Sequence, residues 1–291
     1  MTVKFAKLVP VLMYHHVTPA GGVLNCTPKN FEAQMAYLVN HGYTTLSSQQ
    51  FADFLNGKPV PEKSVLLTFD DGYLDNYVYA HAILKKYKLK AHMFLVTSWV
   101  HDEEARPSLD GSQAYPFCPT HDECKQRLNN ARTDEVIVRW EEVRRMYDEK
   151  TFEFHSHSHT HIRWDKQLNQ EGKLAAILHE MEQSKEILRE QLGFVSEHYC
   201  WPQGYYEPEY VQIAQEQGFQ YLYATDSNGV NVAGEQTSHI YRNWVGNIGA
   251  LRFAFKLWLL HRPRLARLYK TFGQGRRLRR AEAINQNQAL N

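Results

Sequence analysis

The sequence predicts an α/β fold, a single distorted (β/α)7 barrel. Two observations point there. Short apolar runs alternate with amphipathic stretches along most of the chain, about seven times over, which is the pattern of parallel strands joined by crossover helices. The residues with the strongest chemical character, a double aspartate and a run of histidines, each follow directly where an apolar run stops. That is the carboxyl end of a strand, where α/β architectures build their sites. The seven repeats favour a barrel over an open doubly wound sheet.

The elements follow in order. Leu8–Tyr14 reads as a buried first strand and Phe31–Asn40 as a helix, apolar at 31, 35 and 38 and closed by Gly42. Tyr43–Leu46 is a short strand. Ser47 caps a helix that runs to Leu55 and ends at Asn56-Gly57. Val65–Phe69 is a strand, residues 74–88 a helix and Ala91–Val96 a strand. Residues 97–135 interrupt this rhythm with three prolines, two cysteines and no clear period, and read as a lid or substrate-binding insertion. Arg139–Glu149 is a helix, Thr151–Phe154 a strand, and Asn169–Leu192 a long helix stopped by Gly193. Strand Glu197–Trp201, helix Pro208–Gln217, strand Tyr221–Ala224 and a last strand Ile240–Trp244 complete the barrel domain, residues 1–250.

The chemistry concentrates in Thr68-Phe69-Asp70-Asp71-Gly72-Tyr73 and in His155-Ser156-His157-Ser158-His159-Thr160-His161. One Asp oxygen and two imidazoles make a ligand set for Zn²⁺ that leaves a coordination position open, and the spare carboxylate beside it can serve as a general base. Taken alone, Asp-Asp-Gly after a strand is an ordinary turn and any one histidine an ordinary polar residue. Both motifs together, each at a strand end, point to a metal centre.

These motifs resemble those of the polysaccharide deacetylases, the NodB-homology or carbohydrate esterase family 4 enzymes. Thr68–Tyr73 is similar to the first motif of that family. The histidine run is similar to the second, His-Ser/Thr-x-x-His, and Trp201-Pro202-Gln203-Gly204-Tyr205 to the third. Val9–His15 resembles the opening strand of the exopolysaccharide branch, and the likeness spans residues 8–245. The resemblance implies a metal-dependent removal of acetyl groups from an amino-sugar glycan or lipid-linked saccharide, of the kind used to build cell-envelope polysaccharide or lipopolysaccharide. It implies Asp70 as general base, Asp71 as metal ligand and the backbone N–H of Gln203 as oxyanion donor.

The histidines fit the pattern in two registers, His155 with His159 or His157 with His161. The second aligns without a gap and puts His155 at a glycine position lining the pocket. Candidate general acids are His239 at the start of the last strand, His261 in Leu259-Leu260-His261, and His15. His15, His155, Tyr73, Tyr205 and Arg242 form the expected substrate-binding group. The family often carries an arginine two residues before the third-motif proline. Here that place is Cys200, and Arg242 is a candidate to compensate. An O-acetyl esterase and a catalytically silent glycan-binding protein are the competing readings of the same scaffold.

The composition, 43% hydrophobic and 22% charged, is that of an ordinary soluble protein, and no apolar run reaches the ~18 residues of a membrane span. The N-terminus lacks a signal-peptide pattern, which predicts a cytoplasmic location with the four cysteines reduced. Cys118, His121 and Cys124 share a metal-like spacing, but a closed zinc site wants four ligands, so a loop with incidental thiols is expected.

The net charge of +1 hides an asymmetry. Residues 251–280 carry ten of the 33 basic residues and no acid, leaving 23 basic and 32 acidic residues elsewhere, a net of −9. This basic extension, residues 251–291, interleaves apolar side chains with cations and reads either as a segment lying against an anionic membrane surface or as a terminal barrel helix with a solvated basic tail. Nucleic acid is not an expected partner, because the rest of the surface is acidic.

Overall fold

The computed structural model describes residues 4–111, 113–227, 229–234, 237–262 and 264–265. Its centre is an eight-stranded parallel sheet. The strands are β1 (Val11–Tyr14), β2 (Thr44–Thr45), β3 (Ser64–Phe69), β4 (Ala91–Leu95), β5 (Phe152–Ser156), β6 (His198–Cys200), β7 (Tyr221–Tyr223) and β8 (Asn243–Trp244). They lie in the order β7-β6-β5-β4-β3-β1-β8, with β2 beside the start of β3. The sheet curls into a distorted, open barrel. Segment 240–244 spans the gap between its edges: Ile240 bridges Tyr223, and Asn243–Trp244 pair with Leu12–Met13 of β1.

Strand alternation sorts the core into two layers. Leu12, Tyr14, Val65, Leu67, Phe69, Met93, Leu95, Phe152 and Phe154 face outward and pack under the helices. Val11, Leu66, Phe94, Cys200, Tyr221 and Tyr223 fill the bore. The helices are α1 (Pro28–Asn40), α2 (Ser48–Leu55), α3 (Ala82–Tyr87, extending a π-helical stretch Asn76–His81), α4 (His121–Asn129), α5 (Trp140–Asp148), α6 (Gln170–Leu192), α7 (Pro208–Glu216) and α8 (Ala250–Leu260). Thr27 caps α1, and a capping box of Ser47 and Gln50 starts α2, each satisfying backbone N–H groups that the first turn leaves unpaired.

Three expectations change. Pro10 has no N–H to give a ladder, and the first strand breaks there into Leu8–Val9 and β1. The short Leu8–Val9 piece pairs antiparallel with Asn231–Val232. The insertion 97–135 is not structureless: it holds α4, capped reciprocally by Thr120 and Glu123. Finally, β5 continues through His155-Ser156, so the histidines begin inside a strand rather than after it.

Candidate active site

Parallel register builds the site. Tyr14 pairs with Phe69, so His15 and Asp70, the next residues, emerge side by side. Leu95 pairs with Ser156, and the next residue, His157, donates its backbone N–H to Leu95 at 2.8 Å. Asp70 continues the inward phase of Leu66 in β3, and His157 the inward phase of His155.

The structure brings Asp71, His157 and His161 together. Nε2 of His157 lies 3.4 Å and Nε2 of His161 3.6 Å from the same Asp71 oxygen. The three ligand atoms lie within 4.8 Å of one another. Nδ1 of His157 meets the carbonyl of Cys200 at 2.8 Å, which orients the ring with Nε2 toward the cluster. This donor set fits a divalent cation. Asp70, His157 and Cys200 also cluster, but there the carboxylate is already engaged. Arg242 grips Asp70 bidentately at 2.6 and 2.8 Å, so Asp70 is poorly available as a ligand and Asp71 is the free carboxylate.

The alternative histidine register is not assembled. His155 Nδ1 meets Ser196 Oγ at 2.8 Å, deeper in the bore, and His159 Nδ1 meets Thr97 Oγ1 at 3.0 Å. The loop carrying the ligands is held by Glu180 of α6, a buried residue. Its carboxylate accepts from the backbone N–H of His159 (2.8 Å), the N–H of Thr160 (2.7 Å), the Thr160 hydroxyl and Trp164 Nε1 (3.2 Å).

The backbone is forced here. Asp71 (φ 74°), Ser158 (φ 70°), His161 (φ 64°) and Gln203 (φ 56°) take the left-handed conformation, half of the eight non-glycine residues that do so among those described. Each costs on the order of 1–3 kcal/mol, and such strain gathers at functional sites. The Pro202–Gly204 turn needs its glycine: a Cβ on Gly204 (φ +70°) would sit 2.2 Å from Thr225 Oγ1.

Electrostatics match the geometry. Burial pushes the Asp71 carboxyl up, but the hydrogen bond from His157 and the neighbouring His161 and His15 rings outweigh it, and it sits well below the usual carboxylate range. Asp70 behaves alike: burial raises it, and Arg242, then His15 and His157, hold it low. Burial pushes His161 down to about 4, against the pull of Asp71. His15 is also lowered by burial. The imidazoles divide: burial holds His15 and His161 low, whereas at His157 burial is outweighed by Cys200, Asp71 and Asp70, which hold it well above the usual imidazole range.

A cleft of 470 Å³ opens over these residues. His15, Asp70, Asp71, Tyr73, His157, His161 and Gln203 line it. Four expected site residues sit elsewhere. His155 faces the lower bore. Arg242 is wholly buried, with Nε on the carbonyl of Ala224 (2.8 Å) and Nη2 on Cys200 Sγ (3.0 Å), so it orients Asp70 instead of touching substrate. Tyr205 turns outward past the Pro202–Gly204 turn, under the Arg163 guanidinium and bonded to Glu207 at 2.9 Å. His239 is engaged by the Tyr206 hydroxyl and Asp226, outside the lining of the cleft. His261, the other late histidine, bonds the Leu257 carbonyl at the end of α8.

Sequence reasoning read the insertion as a lid or substrate-binding segment but named none of its residues that line the cleft. Trp99 and, from α4, His121, Lys125, Leu128 and Asn129 line the cleft. His121 is anchored through His16 (3.1 Å) to buried Asp75 (2.7 Å). The readable signal was Thr120-x-x-Glu123, a capping box. Cys118 and Cys124 are buried free thiols, and His121 turns to His16 instead of joining them.

The polysaccharide deacetylase family model matches residues 57–222. The Bacillus subtilis protein YxkH is 47% identical over 96 residues, a match spanning 33% of this chain and only 34% of YxkH. The poly-beta-1,6-N-acetyl-D-glucosamine N-deacetylase of Staphylococcus aureus is 22% identical over 235 residues, 74% of this chain and 70% of that protein. Among solved structures, IcaB from Ammonifex degensii has the same fold, with a TM-score of 0.68 at 21% identity, covering 88% of this chain and 98% of IcaB. With its family model covering more than half of the sequence, the chain belongs to the polysaccharide deacetylase family.

Proposed function

We propose that this protein is a metal-dependent hydrolase that removes acetyl groups from N-acetylated amino sugars of a glycan. The observation that carries the reading is the convergence of Asp71, His157 and His161 on one point, with Asp70 beside them, in a chain of this family. The similarity to a poly-beta-1,6-N-acetyl-D-glucosamine N-deacetylase supports an exopolysaccharide-like substrate.

Asp71, His157 and His161 would hold one divalent cation, Zn²⁺ by the borderline character of two imidazoles and a carboxylate. Once bound, it supplies Lewis acidity to the acetyl carbonyl and lowers the pKa of water. Asp70, kept ionised by Arg242, accepts the proton of the attacking water. The Gln203 backbone N–H, in the turn that lines the cleft, stabilises the oxyanion. His15, with Nε2 3.7 Å from Asp70 Oδ2, receives the proton from Asp70 and passes it to the leaving amine. The tight Tyr206 and Asp226 contacts of His239 argue against that residue as the acid.

The test is Asp70→Asn. Acetate release from N-acetylglucosamine oligomers should fall by about 10³-fold or more while metal content stays at wild type; full activity would refute the assignment. Parallel assays on O-acetylated sugars separate an esterase. Full metal content without acetate release from any amino sugar would favour a silent glycan-binding protein.

A membrane-surface role is a second element of the reading. No described helix is long and apolar enough to cross a membrane. However, α8 leaves Leu251 (89%), Phe255 (50%) and Trp258 (44%) exposed while Phe253 and Leu257 pack into the core. The exposed apolar face beside Arg252 and Arg262 suits an anionic leaflet, and a lipid-linked saccharide at the cytoplasmic face is the matching substrate. Residues 266–291 of the basic extension lie outside the described residues. Flotation with anionic liposomes should require residues 251–291; equal partitioning of full-length and truncated forms would dispose of this role.

A further inference from the structure

The bore of the barrel holds a second group of ligating side chains, at the end opposite Asp71. Down β5 from His157, which follows its last residue, the inward side chains are His155 and then Glu153, two residues apart. His92 of β4 pairs in register with Glu153, and Phe94 with His155. The rings of His92 and His155 are 4.8 Å apart, and that of His198 in β6 is 5.0 Å from His155. Phe94 lies between this level and the upper site, 5.4 Å from the His155 ring and 6.5 Å from that of His157.

Their hydrogen bonding is incomplete. Both ring nitrogens of His92 and Nε2 of His155 are buried without a partner. Such groups are destabilising when nothing satisfies them. Ser196 Oγ holds Nδ1 of His155 at 2.8 Å, so the open nitrogen of that ring is Nε2. Glu153 stands 3.9 Å from His92 Nε2 and accepts the backbone N–H of Ser48, in the first turn of α2, at 2.6 Å. Ligand atoms of His92, Glu153 and His155 fall within 4.8 Å of one another. A 520 Å³ cavity lined by Ser48, Lys90, Glu153, His155 and Ser196 leads in from the surface.

We propose that His92, His155 and Glu153 form a second site for a divalent transition-metal cation, at the amino end of the barrel strands. Two imidazoles and one carboxylate suit Zn²⁺, Ni²⁺ or Cu²⁺ over Mg²⁺ or Ca²⁺. The site ties β4, β5 and the start of α2 together. The Phe94 layer separates it from the Asp71 cluster, so it stands independently of the activity proposed above.

The test uses the full chain, stripped with chelator and dialysed against Zn²⁺. Wild type should bind two Zn²⁺ per chain. The Asp71→Asn/His161→Ala variant should keep one, and its melting temperature should rise when Zn²⁺ is added. Adding His92→Leu to that variant should remove both the ion and the rise. If the Asp71→Asn/His161→Ala variant binds no Zn²⁺ and its melting temperature does not move, the lower imidazoles are only hydrated and the proposal fails; this holds whether or not the His92 variant folds.

Discussion

Replacing Arg242 with methionine should damage both stability and turnover. The guanidinium is wholly buried and makes two charge-assisted bonds to Asp70, at 2.6 and 2.8 Å, plus a bond to the Ala224 carbonyl at 2.8 Å. Removing one partner of such a pair strands a buried carboxylate, at a cost of about 3–5 kcal/mol. For a domain of this size each kcal/mol is worth roughly 2–4 °C, so the melting temperature should drop by roughly 6–20 °C. Turnover should fall because Asp70 loses its orientation and the charge that keeps it ionised. The Cys200 sulfur lies 3.0 Å from Nη2 of Arg242, so a side chain at position 200 already points at this guanidinium. Cys200→Arg combined with Arg242→Met should therefore recover part of the acetate release, with the arginine delivered from β6 instead of the 240–244 segment. Thermal unfolding followed by circular dichroism and an acetate-release assay measure the two effects. An Arg242→Met protein with wild-type melting temperature and activity would refute the role given to this pair.

Two more outcomes follow from the same geometry. Glu180→Gln cannot accept all four of the loop's donors, so the His157–His161 segment should loosen and metal affinity fall by about 10–100-fold, measured by competition with a chromophoric chelator. In the metal-free protein, Asp70 is held below its ordinary value. Its stabilising share is thus complete above about pH 4 and is lost as pH falls through the lower folded value. The gap in melting temperature between wild type and Arg242→Met should accordingly narrow below about pH 4, and a gap that stays constant down to pH 2 would contradict the pairing.

Much of this was legible in the sequence because it is local. Period-two and helical patterns located the strands and helices, and Ser47 with Gln50 marked the start of α2. Motif spacing placed Asp70, Asp71, His157 and His161 at or just past strand ends on the same edge of a parallel sheet. What depended on tertiary structure is what distant segments do to one another. Arg242 and Asp70 are 172 residues apart, and only the bridging of segment 240–244 across the sheet edge buries one against the other. His155 is expected to line the pocket because it occupies the motif's glycine position, yet strand extension sends it two residues deeper into the bore. The α4 wall carries too few apolar residues to announce itself, and it forms where His121 reaches His16 and Asp75. Sequence thus determined which groups stand at the strand ends, since backbone periodicity is local. Only the closed geometry decided which of them meet, since a contact between distant segments is set by the packing of the whole sheet.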